Sequence, residues 1–269
     1  MIITRELISE RAAAIIRLDQ ADGVEVVVNG RRASTLRFAN SVFHQGGVSL
    51  DSSVSIRVIC GKRVGVASTN TLEFAALKEC LSRAVAIAGH VREEPFEVRL
   101  PCVGEYSDVV SYFESTVSAT EEDIAQSLSE GFRGAALNGV LQSGSFTTEA
   151  GGVGVFNSNG VSAYHPYTSA HLSVVSTKDD VSGFKSALSN DISAIDIKGV
   201  MGDSAGRALS AVSPRAITPG AFRVLLEPPA VAELIYWLSY TGFGARGFSE
   251  GTSFLSGRLG ERVTGEGVT

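Results

Sequence analysis

The sequence predicts an α+β fold: an N-terminal antiparallel sheet with packed helices, a second α+β unit, and the start of a β-rich C-terminal domain whose larger part lies outside the chain. Three observations lead there. β-prone runs with period-two alternation cluster at residues 24–66 and again at 140–178. Helical patterns, with apolar residues three and four apart, flank both clusters. Proline-bearing, weakly periodic stretches at 93–114 and 214–220 separate them, giving expected domains at 1–100, 101–218 and 219–269.

The first helix pattern places Leu7, Ala12 or Ala13, and Ile15 or Ile16 on one stripe, and Asp22-Gly23 breaks it. Val24 to Val28 then reads as a strand entering an Asn29-Gly30 hairpin, because both turn positions tolerate positive φ. Residues 42–48 and 54–60 read as two more strands, the second with Val54, Ile56, Val58 and Cys60 on one face, and Gly61-Lys62 turns the chain into Val64 and Val66. Asn70, with Glu73 three residues on, is the expected cap of a helix whose stripe is Leu72, Ala76, Cys80, Ala84 and Ala88, stopped by Gly89. Past the first linker, Thr120 with Asp123 opens a helix with Ile124, Leu128, Phe132 and Ala135 or Ala136 inward. Gly151-Gly152 and Asn157-Ser158-Asn159-Gly160 are expected to punctuate short hairpins. A helix near 202–212, a second linker at Pro214, Pro219 and Gly220, a strand at Phe222 to Leu226 and a helix opened by Pro228-Pro229 complete the reading. In that last helix Val231, Leu234, Ile235 and Leu238 form a stripe expected to be buried. About fifty residues follow Pro219, too few to finish a domain, which reads as a fragment or truncated product.

Composition narrows the function. The 269 residues are 44% hydrophobic and 19% charged, outside the range of disordered chains. Acidic residues number 29 against 23 basic, a net charge of −6, so no bulk positive field favours nucleic acid or an anionic membrane surface. Three dispersed cysteines (Cys60, Cys80, Cys102) form neither a disulfide framework nor a zinc knuckle. No apolar run reaches the roughly 18 residues of a membrane span. Glu6 and Glu10 interrupt what a secretion signal would keep apolar, so a cytoplasmic location is expected.

Gly202-Asp203-Ser204-Ala205-Gly206 fits the G-x-S-x-G pattern that exposes a nucleophilic serine at a strand-to-helix turn. In that fold the histidine follows the serine, whereas His44, His90, His165 and His171 all precede Ser204, so a plain helix N-terminus is the preferred reading. His165 and His171 would share a face only if one strand ran unbroken through Pro166, which its ring disfavours. Gly152-Val153-Gly154 lacks the third glycine and following helix of a dinucleotide site.

Three further stretches carry a family resemblance: Leu36 to Gln45 (LRFANSVFHQ), Asn157 to Gly160 (NSNG) and Gly251 to Glu261 (GTSFLSGRLGE). Together they resemble signatures of the TldD/PmbA family, paired bacterial peptidase subunits also described as modulators of DNA gyrase. Catalytic members of that family carry a His-Glu-x-x-x-His zinc motif on the helix before the last stretch, and a cysteine ligand in a later domain. Here the corresponding positions hold Tyr236, Trp237 and Thr241. The resemblance therefore implies a metal-free PmbA/TldE-like member with no catalytic, metal or cofactor residues of its own. It further implies a heterodimeric TldD-type partner subunit that carries the zinc, an unfolded peptide substrate held in extended form, and no nucleic-acid or membrane partner. The alternatives are a serine hydrolase acting through Ser204 and a non-enzymatic gyrase modulator.

Overall fold

The computed structural model describes residues 4–18, 21–211 and 216–267. It divides into two units, residues 1–214 and 215–269.

The first unit uses one arrangement, helix, three strands, helix, twice. The first copy is α1 (Arg5–Ile16), β1 (Gly23–Ala39), β2 (Val42–Cys60), β3 (Arg63–Thr69) and α2 (Phe74–His90). After an extended connection and the short α3 (Glu114–Ser118), the second copy is α4 (Glu121–Ala136), β4 (Leu141–Asn157), β5 (Ser162–Lys178), β6 (Val181–Ser189) and α5 (Ile197–Ser210). The six strands make one antiparallel sheet in the order β3-β2-β1-β4-β5-β6. Two sheets were expected from the sequence; instead the first strands of the two copies pair from Glu25↔Asn157 to Phe38↔Gly144 and fuse them. The expected boundary near residue 100 falls in the connection between the copies.

Alternation puts the even-numbered residues of β1 on one face, and both cores lie there. Val24, Val26 and Val28 pack with Val54, Ile56 and Val58 of β2 under α1 and α2, while Phe38, Phe146, Leu172 and Val174 pack under α4 and α5. Each fully buried Val, Leu or Ile contributes about 1.5–3 kcal/mol. The opposite face of the sheet carries polar side chains, including Arg31 between Asp51 (3.3 Å) and Glu149 (3.1 Å).

Asn29-Gly30 and Gly151-Gly152, turn signals in the sequence, instead lie opposite each other in mid-strand, in the register Gly30↔Gly152 and Arg31↔Gly151. β1 is paired on both sides, so a turn there would break two ladders. The glycines give room instead: a Cβ on Gly152 would lie 2.4 Å from the Tyr164 hydroxyl, and one on Gly151 would lie 2.7 Å from Gly30 O. The β1–β2 turn falls at Asn40 and Ser41, both at positive φ (51° and 61°), as a two-residue hairpin of the primed type requires. Residues 42–48 and 54–60 are accordingly one strand, β2.

The helices follow the sequence pattern more closely because 3.6-residue periodicity is local, although α1 buries Ile8 rather than Leu7 beside Ala12 and Ile15. Thr4 caps α1 and Thr120 caps α4 through the Asp123 N–H. α2 starts later than expected: Glu73, not Asn70, is its N-cap, and it adds Leu77 and Leu81 to the buried stripe of Cys80, Ala84 and Ala88. α5 starts earlier, capped by Asp196, so Ser204 sits inside the helix.

The two edge strands each meet a helix through a glycine. A Cβ on Gly65 of β3 would lie 1.9 Å from Ala84 O of α2, and one on Gly183 of β6 would lie 2.4 Å from Ser204 O of α5. The second unit holds α6 (Pro228–Gly242), α7 (Ala245–Ser249) and turns. Of the second-linker residues, Pro214 lies outside the described residues, and 216–227 has no regular structure. The strand expected at Phe222 to Leu226 does not form: a strand needs a hydrogen-bonded neighbour, and the described residues of this unit supply none. No helix among the described residues is long and apolar enough to cross a membrane.

Gly65→Ala should cost about 2–3 kcal/mol, measured by urea denaturation, because strand and helix backbones must separate. Gly134→Ala, in an exposed helix position with open space around it, should stabilise by about 0.5–1 kcal/mol.

Candidate functional site

The positions singled out for zinc lie on α6, which begins with Pro228 and Pro229 in its first turn and ends at the Phe243 cap. Tyr236, Trp237 and Tyr240 form an exposed aromatic row, with ring centroids 5.6 Å and 6.4 Å apart in edge-on geometry. The Trp237 indole N–H donates to Glu233 Oε1 at 2.9 Å, and the Thr241 hydroxyl donates to the carbonyl of Trp237 at 2.8 Å. These side chains do not fit a zinc ion. An indole N–H donates only, and neither a phenol nor a hydroxyl already spent on its own helix is among the imidazole, thiolate and carboxylate ligands that zinc takes. Among the described residues no group of three or more His, Cys, Asp or Glu could hold a metal. The stripe expected to be buried is exposed: Val231, Leu234, Ile235 and Leu238 keep 40–54% of their surface, because the described residues of this unit include no element that covers them.

The GTSFLSGRLGE stretch builds the end of α6. The Ser253 hydroxyl donates to Gly242 O and accepts from Leu255 N at 3.1 Å, so it caps the helix C-terminus. Gly242 has no Cβ because the ring of Phe254 lies where one would be, 2.2 Å away. Gly251, Gly257 and Gly260 hold φ of 76°, 76° and 83°, the left-handed region where glycine is favoured.

The other two resemblance stretches join the repeats. Asn40 and Ser41 cap β4: Ser41 N donates to Gln142 O at 2.7 Å, and Gln142 N donates to the Ser41 hydroxyl at 3.1 Å. Phe38 and Phe43 stack on Phe132 of α4 at 5.2 and 5.4 Å. In the β4–β5 turn, Asn157 Nδ2 donates to Pro101 O (2.8 Å) and its Oδ1 accepts from Asn159 N and Val161 N (both 3.0 Å). Asn159 Nδ2 donates to Leu100 O at 3.0 Å, so this turn clasps the connection between the copies.

Ser204 is fully buried. Its hydroxyl lies 2.9 Å from both the Ser176 hydroxyl and Gly183 O, and Ser176 accepts in turn from the buried Gln142 amide at 3.0 Å. The serine therefore satisfies β6 where α5 presses against Gly183, and among the described residues no histidine bonds to it. β5 runs unbroken through Pro166, contrary to expectation. Its proline lies where β6 has already ended, leaving the missing N–H without a ladder to break. His165 and His171 thus share the polar face but stand about 20 Å apart by strand rise, too far for one metal. The fold also brings His165 Nε2 to 2.8 Å from the Ser111 hydroxyl. Fifty-four residues of separation hid this pair from sequence reading, and Ser111 spends its proton on Pro166 O at 2.8 Å.

Asn157→Ala should cost about 2–3 kcal/mol, since a buried amide with three hydrogen bonds is lost. It should also open residues 93–113 to limited proteolysis, whereas Asn159→Ala should do so less. A fluorophosphonate probe should leave Ser204 unlabelled in folded protein; labelling that vanishes in Ser204→Ala would show an accessible nucleophile.

Comparison with known proteins agrees with this architecture. Residues 24–88 match the family model described as PmbA/TldA metallopeptidase domain 1, and residues 219–269 match that described as the PmbA/TldA metallopeptidase C-terminal domain. No curated protein sequence matches. Among solved structures, a Thermotoga maritima protein named a "putative modulator of a DNA gyrase" is 20% identical, with a TM-score of 0.80 over 96% of this chain and 60% of its own. TldE from Thermococcus kodakarensis is 19% identical, with a TM-score of 0.76 over 93% of this chain and 59% of its own. A Bacteroides thetaiotaomicron protein, also named a "putative modulator of DNA gyrase", is 15% identical, with a TM-score of 0.77 over 96% and 61%. The chain thus spans about 60% of the length of these structures. Two domain models of one family thus match in chain order, and the fold is that of these solved structures: the chain is similar to the TldD/PmbA family over its matched residues.

Proposed function

We propose that this chain is the non-catalytic, PmbA/TldE-like member of a cytoplasmic peptidase system. Its partner would be a TldD-type subunit that carries the zinc, and the pair would process unfolded peptides. One observation carries the reading. Where catalytic relatives place two imidazoles and a carboxylate, α6 presents a phenol, an indole and a hydroxyl, two of which are already hydrogen-bonded within the helix. A water molecule cannot be activated by such a set, so the chain's contribution is structural: it builds wall and interface, and the chemistry belongs to the partner. The acidic balance of the sequence supports a peptide over a nucleic-acid partner.

The test is assembly. Purified protein mixed with a homologue bearing His-Glu-x-x-x-His should elute from size exclusion as one stoichiometric complex, and peptidase activity should need the homologue's zinc. Two separate monomers, or zinc-dependent proteolysis by this chain alone, would refute the proposal.

A further inference from the structure

The two copies of the repeat differ in one respect that bears on binding. In each, the middle strand is longer than the third, so its N-terminal half runs beyond the edge strand. β6 pairs with β5 only over Ala170 to Lys178, and β3 pairs with β2 only over Val54 to Cys60. On β5 the exposed stretch is occupied. Thr168 N donates to Ser111 O at 2.7 Å, the Ser111 hydroxyl donates to Pro166 O, and Phe113 N donates to Thr168 Oγ1 at 3.0 Å. The chain's own connection, in extended form, thus covers that edge. On β2 the equivalent stretch, residues 42–53, has no such covering segment among the described residues of the first unit; at its end the Ser52 hydroxyl donates to Asn70 O, just past β3.

This open edge lacks the usual protection. Natural sheets guard edges with proline, lysine, bulges or a covering segment. Residues 42–53 contain no Pro, Lys or Arg, and the lone charge, Asp51, is engaged by Arg31. The bulge opposite Arg37 and Phe38 lies at the turn end, and from Arg37↔Gln45 to Asn29↔Ser53 the register is regular. Val48 and Leu50, 50% and 61% exposed, stand on the helix-bearing side. At Gly46, on that same side, the Glu121 carboxylate of the acidic first turn of α4 lies 3.3 Å from where a Cβ would be.

We propose that the edge of β2 over residues 42–53 binds an extended segment of another polypeptide by strand addition. The segment's apolar side chains would lie opposite Val48 and Leu50, and a basic one beside Glu121. Main-chain hydrogen bonds would supply affinity, and the alternating pockets the preference. A second copy of this chain fits less well. Self-pairing that brings Val48 to Leu50 sets Gly46 opposite Ser52, which leaves Glu121 facing no cation. The proposal rests on sheet geometry alone and is independent of the reading of α6.

The probe is a fluorescein-labelled heptapeptide, Lys-Ser-Val-Ser-Leu-Ser-Lys, titrated with the full chain and followed by anisotropy. Saturable binding is expected, weakened about 10-fold or more by Leu50→Lys, which removes an apolar partner and adds an edge lysine. Two peptides N-methylated at alternate residues, one in each phase, should behave differently. Successive N–H groups of a strand point to opposite sides, so one phase should abolish binding and the other should leave it. Thermal melts would confirm that Leu50→Lys is folded, as an exposed position predicts. Absence of saturable binding would overturn the proposal, as would indifference to both methylation phases. So would a concentration-dependent dimer that Leu50→Lys dissolves.

Discussion

The pairing of β1 with β4 is the constraint on which the first unit depends. Each repeat alone is three strands and two helices, and its first strand would be an open edge. Joined from Glu25↔Asn157 to Phe38↔Gly144, these two strands become the centre of one sheet. Their even-numbered residues then serve both cores, with Val26 and Val28 under the first pair of helices and Phe38 and Phe146 under the second. The glycines at the crossing follow from this. Gly30 faces Gly152, and the tyrosines of β5 fill the space above the β4 glycines.

That same pairing decided what the sequence could reveal. Helices were legible because their apolar stripes are local: Ile124, Leu128 and Phe132 are buried as their spacing implies. Strand turns were not, because Asn29-Gly30 and Gly151-Gly152 are turn signals only when no long-range ladder claims them. Asn40-Ser41 forms the true turn without a glycine. The exposed stripe of α6 was misread for the opposite reason: its amphipathic pattern announces a partner surface, but the described residues of its unit contain none to cover it.

The candidate site was legible in part. The positions Tyr236, Trp237 and Thr241 came from the resemblance, and the structure adds how they are used: an exposed aromatic row, an indole bonded to Glu233, a hydroxyl bonded within its helix. The resemblance stretches themselves are joints. One turns β1 into β2 and caps β4, one clasps the connection between the repeats, and one closes α6. Ser204, which a pattern marks as a nucleophile, is the small polar residue that lets α5 lie on Gly183 while satisfying its carbonyl.

If this chain is the non-catalytic member of a pair, the part of α6 that bears Tyr236, Trp237 and Thr241 should bind no zinc. Titration calorimetry of the purified chain with zinc chloride at neutral pH tests it most directly. No saturable one-to-one heat is expected at micromolar protein. A stoichiometric binding event that disappears in Glu233→Gln would contradict it.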